Sequence, residues 1–201
     1  MFFKKKPDLD KQLEHLQVER SYLNPLIGGW PTRIHNASDL QAVKARWYSA
    51  VKAADSLLEQ YPDSLDAKYL MAEFLRLGHT IDVPNTAETS QKLFQEIIQT
   101  DPNHFDAHYG LASLYVSIDP KVSPKAEQLF LKAKELAAPK VIPDIDKGLG
   151  FACLFQNRMP DAIAYFENYL QLQNDPDIEE LLNGIKSGKK LTLFHQNSHS
   201  E

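Results

Sequence analysis

Apolar residues in the stretch KGLGFACLFQNRMPDAIAYFENY, at 147–169, follow two helical runs separated by a break. Leu149-Gly150 is followed three residues later by Cys153, and after 157–160 Ala162 and Phe166 follow at a four-residue step. Steps of three and four mark the buried face of a helix. The stretch therefore predicts two short helices folded back on each other. Gly150 and Ala162 are small enough to let the backbones approach, while Leu149, Cys153 and Phe166 fill the seam. A pair this short is marginal by itself and needs neighbours to cover its outward apolar side.

Two upstream stretches supply such neighbours. FDAHYGLASLY places Leu111-Ala112 and Tyr115 at the same spacing, followed by Ala126, Phe130 and Ala133. LDAKYLMAEFL places Met71-Ala72 and Leu75, followed by Ser90, Phe94 and Ile97, with Asp101-Pro102 closing the unit. The small residue (Ala72, Ala112, Gly150) recurs at steps of 40 and 38, and the aromatic (Phe94, Phe130, Phe166) at 36 and 36.

These residues resemble the tetratricopeptide repeat (TPR), a helix–turn–helix of ~34 residues with Trp-x2-Leu-Gly-x2-Tyr, then Ala-x3-Phe, then Pro. The resemblance covers about 65–176. It departs from the pattern at the Trp position, which holds Lys68, His108 and Asp146, and in the extra residues between the helices of the first two units. Pro176 stands two residues late. The fold it implies is all-α: an α-solenoid of about three TPR-like repeats with an N-terminal helical extension and a C-terminal capping helix. The chain divides into an N-terminal helix and Gly/Pro-rich strap (1–37), the repeat domain with its capping helix (38–188) and a flexible tail (189–201).

Along the chain, 8–23 reads as an amphipathic helix with Leu9, Leu13, Leu16 and Leu23 near one face, ending at Asn24-Pro25. NPLIGGWPTRI is irregular by its Gly and Pro, yet Leu26, Ile27 and Trp30 are too apolar for a loose linker. The strap is expected to lie on the repeats, where it could mimic a peptide in their groove. A long helix over 39–61, with Leu40, Val43, Trp47, Val51, Ala54 and Leu58 near one stripe, reads as a half-repeat carrying Ala50, Ala54 and Leu57. The units predict helices at 66–78 and 86–100, 104–116 and 124–137, 144–157 and 161–173. Asn85 with Glu88 fits a capping box, and Ser123-Pro124 fits an N-cap followed by Pro at the first helical position. The HTIDVP loop reads as a surface insertion or a binding lip. The helix at 177–184 is the lid that a terminal repeat needs.

Composition changes the picture little. The chain has 43% hydrophobic and 24% charged residues, as globular domains do. It has no long apolar run and no secretory leader pattern, and its one cysteine weakly favours a reducing, cytoplasmic setting. Cys153 reads as a small buried hydrophobe. Charge is uneven: 38–185 carry a net of −9, while 1–37 and 186–201 are each +2. An acidic body argues against nucleic-acid binding, which rests on phosphate neutralisation. Phe2-Phe3 with Lys4, Lys5 and Lys6 could touch an anionic membrane surface only weakly.

No motif carries chemistry. GlyLeuGly at 148–150 lies inside a helix and lacks the rest of a phosphate loop. His104 with His108, and His195 with His199, are four apart but have no third ligand at a readable spacing, so structural histidines are expected and no metal or other cofactor. The expected function is non-catalytic: a protein–protein interaction scaffold, or adaptor, binding a partner peptide in the concave groove.

The TPR resemblance makes that residue-specific. In the family the fifth, ninth and twelfth positions of each first helix commonly face the ligand. Here these are Tyr69, Glu73 and Arg76; Tyr109, Ser113 and Val116; and Lys147, Phe151 and Leu154, with Phe155 adjoining. The Lys–Asn clamp with which some TPR proteins hold a terminal carboxylate is not expected, because Phe151 stands where Asn is wanted. The implied partner is a protein segment with apolar anchors, compatible with a basic one. Two alternatives are a structural, assembly or oligomerisation module using the convex face or the N-terminal helix, with Leu9, Leu13 and Leu16 as the discriminating residues, and a cytoplasmic chaperone of the secretion type.

Overall fold

A computed structural model describes residues 9–29, 32–34 and 36–188. These form nine α-helices: α1 (Leu9–Ile27), α2 (Ala37–Gln60), α3 (Leu65–His79), α4 (Thr86–Thr100), α5 (Phe105–Ile118), α6 (Ser123–Ala137), α7 (Pro143–Phe155), α8 (Met159–Leu172) and α9 (Pro176–Lys186). The expectations placed on Phe2, Phe3, Trp30 and the tail from 189 lie outside the described residues.

The helices pair in sequence order, α3 with α4, α5 with α6 and α7 with α8, and each pair packs on the next. The predicted repeat positions make these seams. Ala72, Ala112, Ser90, Ala126, Ala162, Phe94 and Phe166 are fully buried and Phe130 nearly so. The Ser90 hydroxyl, buried in the first seam, donates to the Ala72 carbonyl at 2.7 Å. At the predicted close approach, a Cβ on Gly150 would lie 2.5 Å from the Phe166 ring. Gly150→Val is accordingly expected to cost about 1–3 kcal/mol through overpacking, read as a lower urea midpoint with an unchanged slope. A midpoint equal to wild type would show that the seam has slack.

The structure adds a second small-residue position that the repeat spacing does not single out. A Cβ on Gly110 would meet Phe94 at 2.5 Å, and one on Gly148 would meet Phe130 at 2.3 Å. The aromatic of each of these units thus also reaches the first helix of the next. The Trp position, by contrast, is held by polar contacts. Lys68 pairs with Glu96 at 3.1 Å, Asp146 pairs with Lys134 at 2.6 Å, and His108 Nε2 lies 2.9 Å from the Pro102 carbonyl.

Side-chain caps mark the starts of α2, α3, α5 and α9, and the other helix starts correct several expectations. Ser64 caps α3 by accepting from the Ala67 N–H at 3.2 Å, and His104 Nδ1 does the same for Ala107 on α5. Both histidines of the 104/108 pair are thereby engaged in the turn. Asn85 does not cap α4 with its side chain; it sits at φ 63°, a left-handed geometry that Asn tolerates, because the preceding loop turns tightly. Within that loop Ile81 is buried in the core at 3% exposure, while Asp82 and Pro84 are exposed. Ser123 is not an N-cap either. A 3-10 turn at Pro120–Val122 runs into α6, so Ser123 lies inside the helix with its hydroxyl buried.

The N-terminal helix is longer than predicted. It continues through Pro25 to Ile27, because Leu16, Leu23 and Ile27 share one buried face and Ile27 is fully covered. Leu9 and Leu13 also pack on the core, so the face proposed for self-association is turned inward. α1 lies against both α2 and α3, making with α2 an incomplete fourth pair at the start of the stack. α9 packs on α8 at the other end, and its Ile178 and Leu182 join the buried cluster that holds Cys153, Leu154 and Phe166.

Candidate peptide groove

The first helices of the units, α3, α5 and α7, touch along one side of the stack, and the sequence-predicted binding residues project from them. Two adjoining cavities open there. One, about 250 Å³, is lined by Tyr109, Val116, Phe130, Phe151, Phe155 and Ile178, with Ser113, Asp144 and Lys147 among its polar groups. The other, about 400 Å³, lies toward α1 and is lined by Arg20, Tyr69, Glu73, Arg76, Phe105 and Asp106 among others. Phe151 and Phe155 are half-buried, their ring centroids 6.2 Å apart. Tyr109 lies edge-on to Phe130 at 5.8 Å, and burial pushes its phenol up to about 12.

Three of the predicted residues are engaged at the α1 end. Glu73 and Arg76 are 4% exposed each and form a bidentate pair, with contacts of 2.9 and 2.7 Å. The remaining Arg76 donors reach the end of α1, giving 3.0 Å to the Gly28 carbonyl and 3.0 Å to Asn24 Oδ1. Thr80 donates to the Ile27 carbonyl beside them. Tyr69 is buried and its hydroxyl accepts from Arg20 of α1 at 3.1 Å. The last turns of α1 thus cover the concave face of the first unit. Leu154 is also not on the groove; at 2% exposure it belongs to the buried cluster at the C-terminal end of the stack. Tyr109, Ser113, Val116, Lys147, Phe151 and Phe155 come together around the smaller cavity.

Lys147 is fastened at the α9 end. It lies 3.2 Å from Asp144 and 3.6 Å from Asp175 and donates to the Tyr169 hydroxyl at 3.2 Å. Tyr169 in turn donates to Asp175 at 2.8 Å, and Asp175 caps α9 through the Ile178 N–H. This chain of contacts sets Asp177 and Ile178 against the cavity, where the sequence reading did not place them. The signal was present in Asp175-Pro176, a capping residue followed by Pro at the first helical position.

Charge in these contacts makes stability pH-dependent. Burial would raise the carboxyl of Glu73, but the Arg76 charge and its hydrogen bonds outweigh it and hold the group low. Burial of Asp175 is likewise outweighed by the Tyr169 hydrogen bond and Lys147. The hydrogen bond from Arg46 lowers Glu19, and Arg158 with Gln156 outweighs burial at Glu127. Groups lowered on folding contribute stability above their unfolded pKa of about 4, lost as pH falls through the folded values. Asp106, raised by burial, acts in the opposite sense. The urea midpoint is expected to fall between about pH 5 and pH 3; a midpoint unchanged or higher at pH 3 would contradict this.

The described residues hold no group of three or more His, Cys, Asp or Glu able to bind a metal. Cys153 is fully buried, and burial pushes its thiol up to about 11, leaving it protonated at neutral pH. No helix of the described residues is long and apolar enough to cross a membrane.

No protein-family model matches the sequence, and no curated protein matches it. Among solved structures, the chain is similar to a thermophilic TPR protein of Thermus thermophilus. The two are 16% identical over 87% of this chain and 84% of that one, with a TM-score of 0.58. The all-helical, pairwise-stacked fold is therefore TPR-like, as the repeat positions predicted.

Proposed function

We propose that this helical-repeat chain is a non-catalytic scaffold that binds a segment of a partner protein in the groove across its second and third units. The observation that carries the reading is the set of half-buried aromatics, Tyr109, Phe151 and Phe155, gathered around one cavity with Val116. Aromatic side chains presented in a pocket commonly dominate protein interfaces. The polar groups beside them, Ser113, Asp144 and Lys147, supply orientation rather than a reaction centre.

The test is a comparison of captured partners between wild type and a Tyr109→Ala, Phe151→Ala, Phe155→Ser variant, with circular dichroism confirming that helicity is kept. Loss of a partner from the folded variant supports the groove. An unchanged partner set would move the search to the convex surface. Self-association through α1 is less favoured, because Leu16 is buried and Leu9 and Leu13 pack on the core.

A further inference from the structure

We propose that the segment this groove takes is short, with one bulky apolar side chain seated among Val116, Phe151 and Phe155 and a Lys or Arg directed at Asp177. The proposal rests on the groove reading above and adds the size and charge of the occupant.

Size follows from what closes the groove. The smaller cavity touches Gly28 and Gly29 after α1 and also Asp177 and Ile178 of α9, so both ends of the stack bound it. At the α1 end the boundary is bonded in place through Arg76 to Gly28 and Asn24. At the α9 end it is held by the Asp175 cap and the Tyr169 hydrogen bond. A cavity of about 250 Å³ accommodates a bulky apolar side chain.

Charge follows from which groups already have opposite partners. Three cations line this cavity among the described residues: Arg33, Arg76 and Lys147. Arg76 is neutralised by Glu73 at 2.7 Å, and Lys147 by Asp144 and Asp175. Arg33 makes no ion pair among the described residues, as Asp177 makes none. The carboxylates lining the cavity are Asp144, Asp175 and Asp177, equal in number to the cations, and Glu73 adds a further negative charge behind Arg76. Asp177 is exposed on the first turn of α9. The surrounding body, with its net of −9 over 38–185, adds a field of the same sign. A cationic ligand side chain is favoured at that rim, and an anionic one is repelled.

The experiment uses the full chain and labelled peptides in a Gly-Ser background, read by fluorescence anisotropy. One carries Lys-Phe-Lys at its centre, one Glu-Phe-Glu, one Gln-Phe-Gln and one Lys-Ala-Lys. The expected order is Lys-Phe-Lys tightest, at least about tenfold tighter than Glu-Phe-Glu, with Lys-Ala-Lys weakest. Asp177→Lys, an exposed substitution that leaves the Lys147 contacts in place, should narrow or reverse the difference between the Lys and Glu peptides. Phe151→Ala should weaken all Phe peptides alike. Equal binding of the Lys and Glu peptides, or a preference untouched by Asp177→Lys, overturns the charge assignment while the groove stands. Binding of Lys-Ala-Lys equal to Lys-Phe-Lys overturns the anchor. If no Phe peptide binds at about 1 mM, or Phe151→Ala changes nothing, the proposal fails together with the groove reading.

Discussion

Arg76→Ala is expected to lower stability by about 3–5 kcal/mol, because it leaves the Glu73 carboxylate buried without its partner. For a chain of this size that corresponds to a fall of roughly 10 °C in Tm, measured by circular dichroism. The pair is 5% and 6% exposed in its side chains, so solvent cannot replace the guanidinium. Its pKa directions agree: Glu73 is held low and Arg76 high. The double substitution Glu73→Leu, Arg76→Met should recover most of the loss, since removing both charges avoids the desolvation cost that the pair carries. It should not recover the fastening of α1, whose Gly28 carbonyl and Asn24 side chain lose their donor. Faster hydrogen exchange at the end of α1, with the rest of the chain protected, is the expected signature. A cost below about 1 kcal/mol for Arg76→Ala would place the pair among solvent-exposed bridges and contradict its burial.

Trp47→Ala should be comparably damaging, at about 3–5 kcal/mol for loss of a buried Trp side chain. Trp47 is 2% exposed, donates from Nε1 to the Phe74 carbonyl at 2.6 Å, and its ring fills the space beside Gly78. It therefore joins α2 to α3 by both packing and a hydrogen bond. Trp47→Phe keeps most of the ring contact and loses the N–H, so a smaller cost of about 1–2 kcal/mol is expected. Urea denaturation separates the three proteins. Equal midpoints for the Ala and Phe variants would show that the ring contributes nothing beyond the hydrogen bond.

Much of the stack is legible in the sequence because its seams repeat a small residue and an aromatic at near-constant steps. The pattern places α4 at both ends and marks Phe94, Phe130 and Phe166 as seam residues, which the structure buries. Boundaries fail where tertiary packing overrides a local signal. Asn24-Pro25 reads as a helix stop, yet burial of Leu23 and Ile27 and the bonds from Arg76 and Thr80 carry the helix past it. Asn85 and Ser123 have capping chemistry, but the turns before them set other backbone geometries.

The groove is legible by position and not by pairing. Tyr109, Val116 and Phe151 fall where the repeat register puts them. The fate of Glu73 and Arg76 depends on where α1 docks, which no local pattern encodes, although their three-residue spacing does allow a helical ion pair. Leu154 is buried in the cluster that α7 forms with α8 and α9, not on the groove.

The most direct test of the central claim is site-specific photo-crosslinking in a cell lysate. A benzophenone side chain would replace Phe155 on the groove in one protein, and exposed Leu131 on α6 in another. The account predicts a partner crosslink from position 155, mapped to one short peptide and lost on Phe151→Ala, with none from position 131. A partner crosslinking from 131 and not from 155 would contradict it.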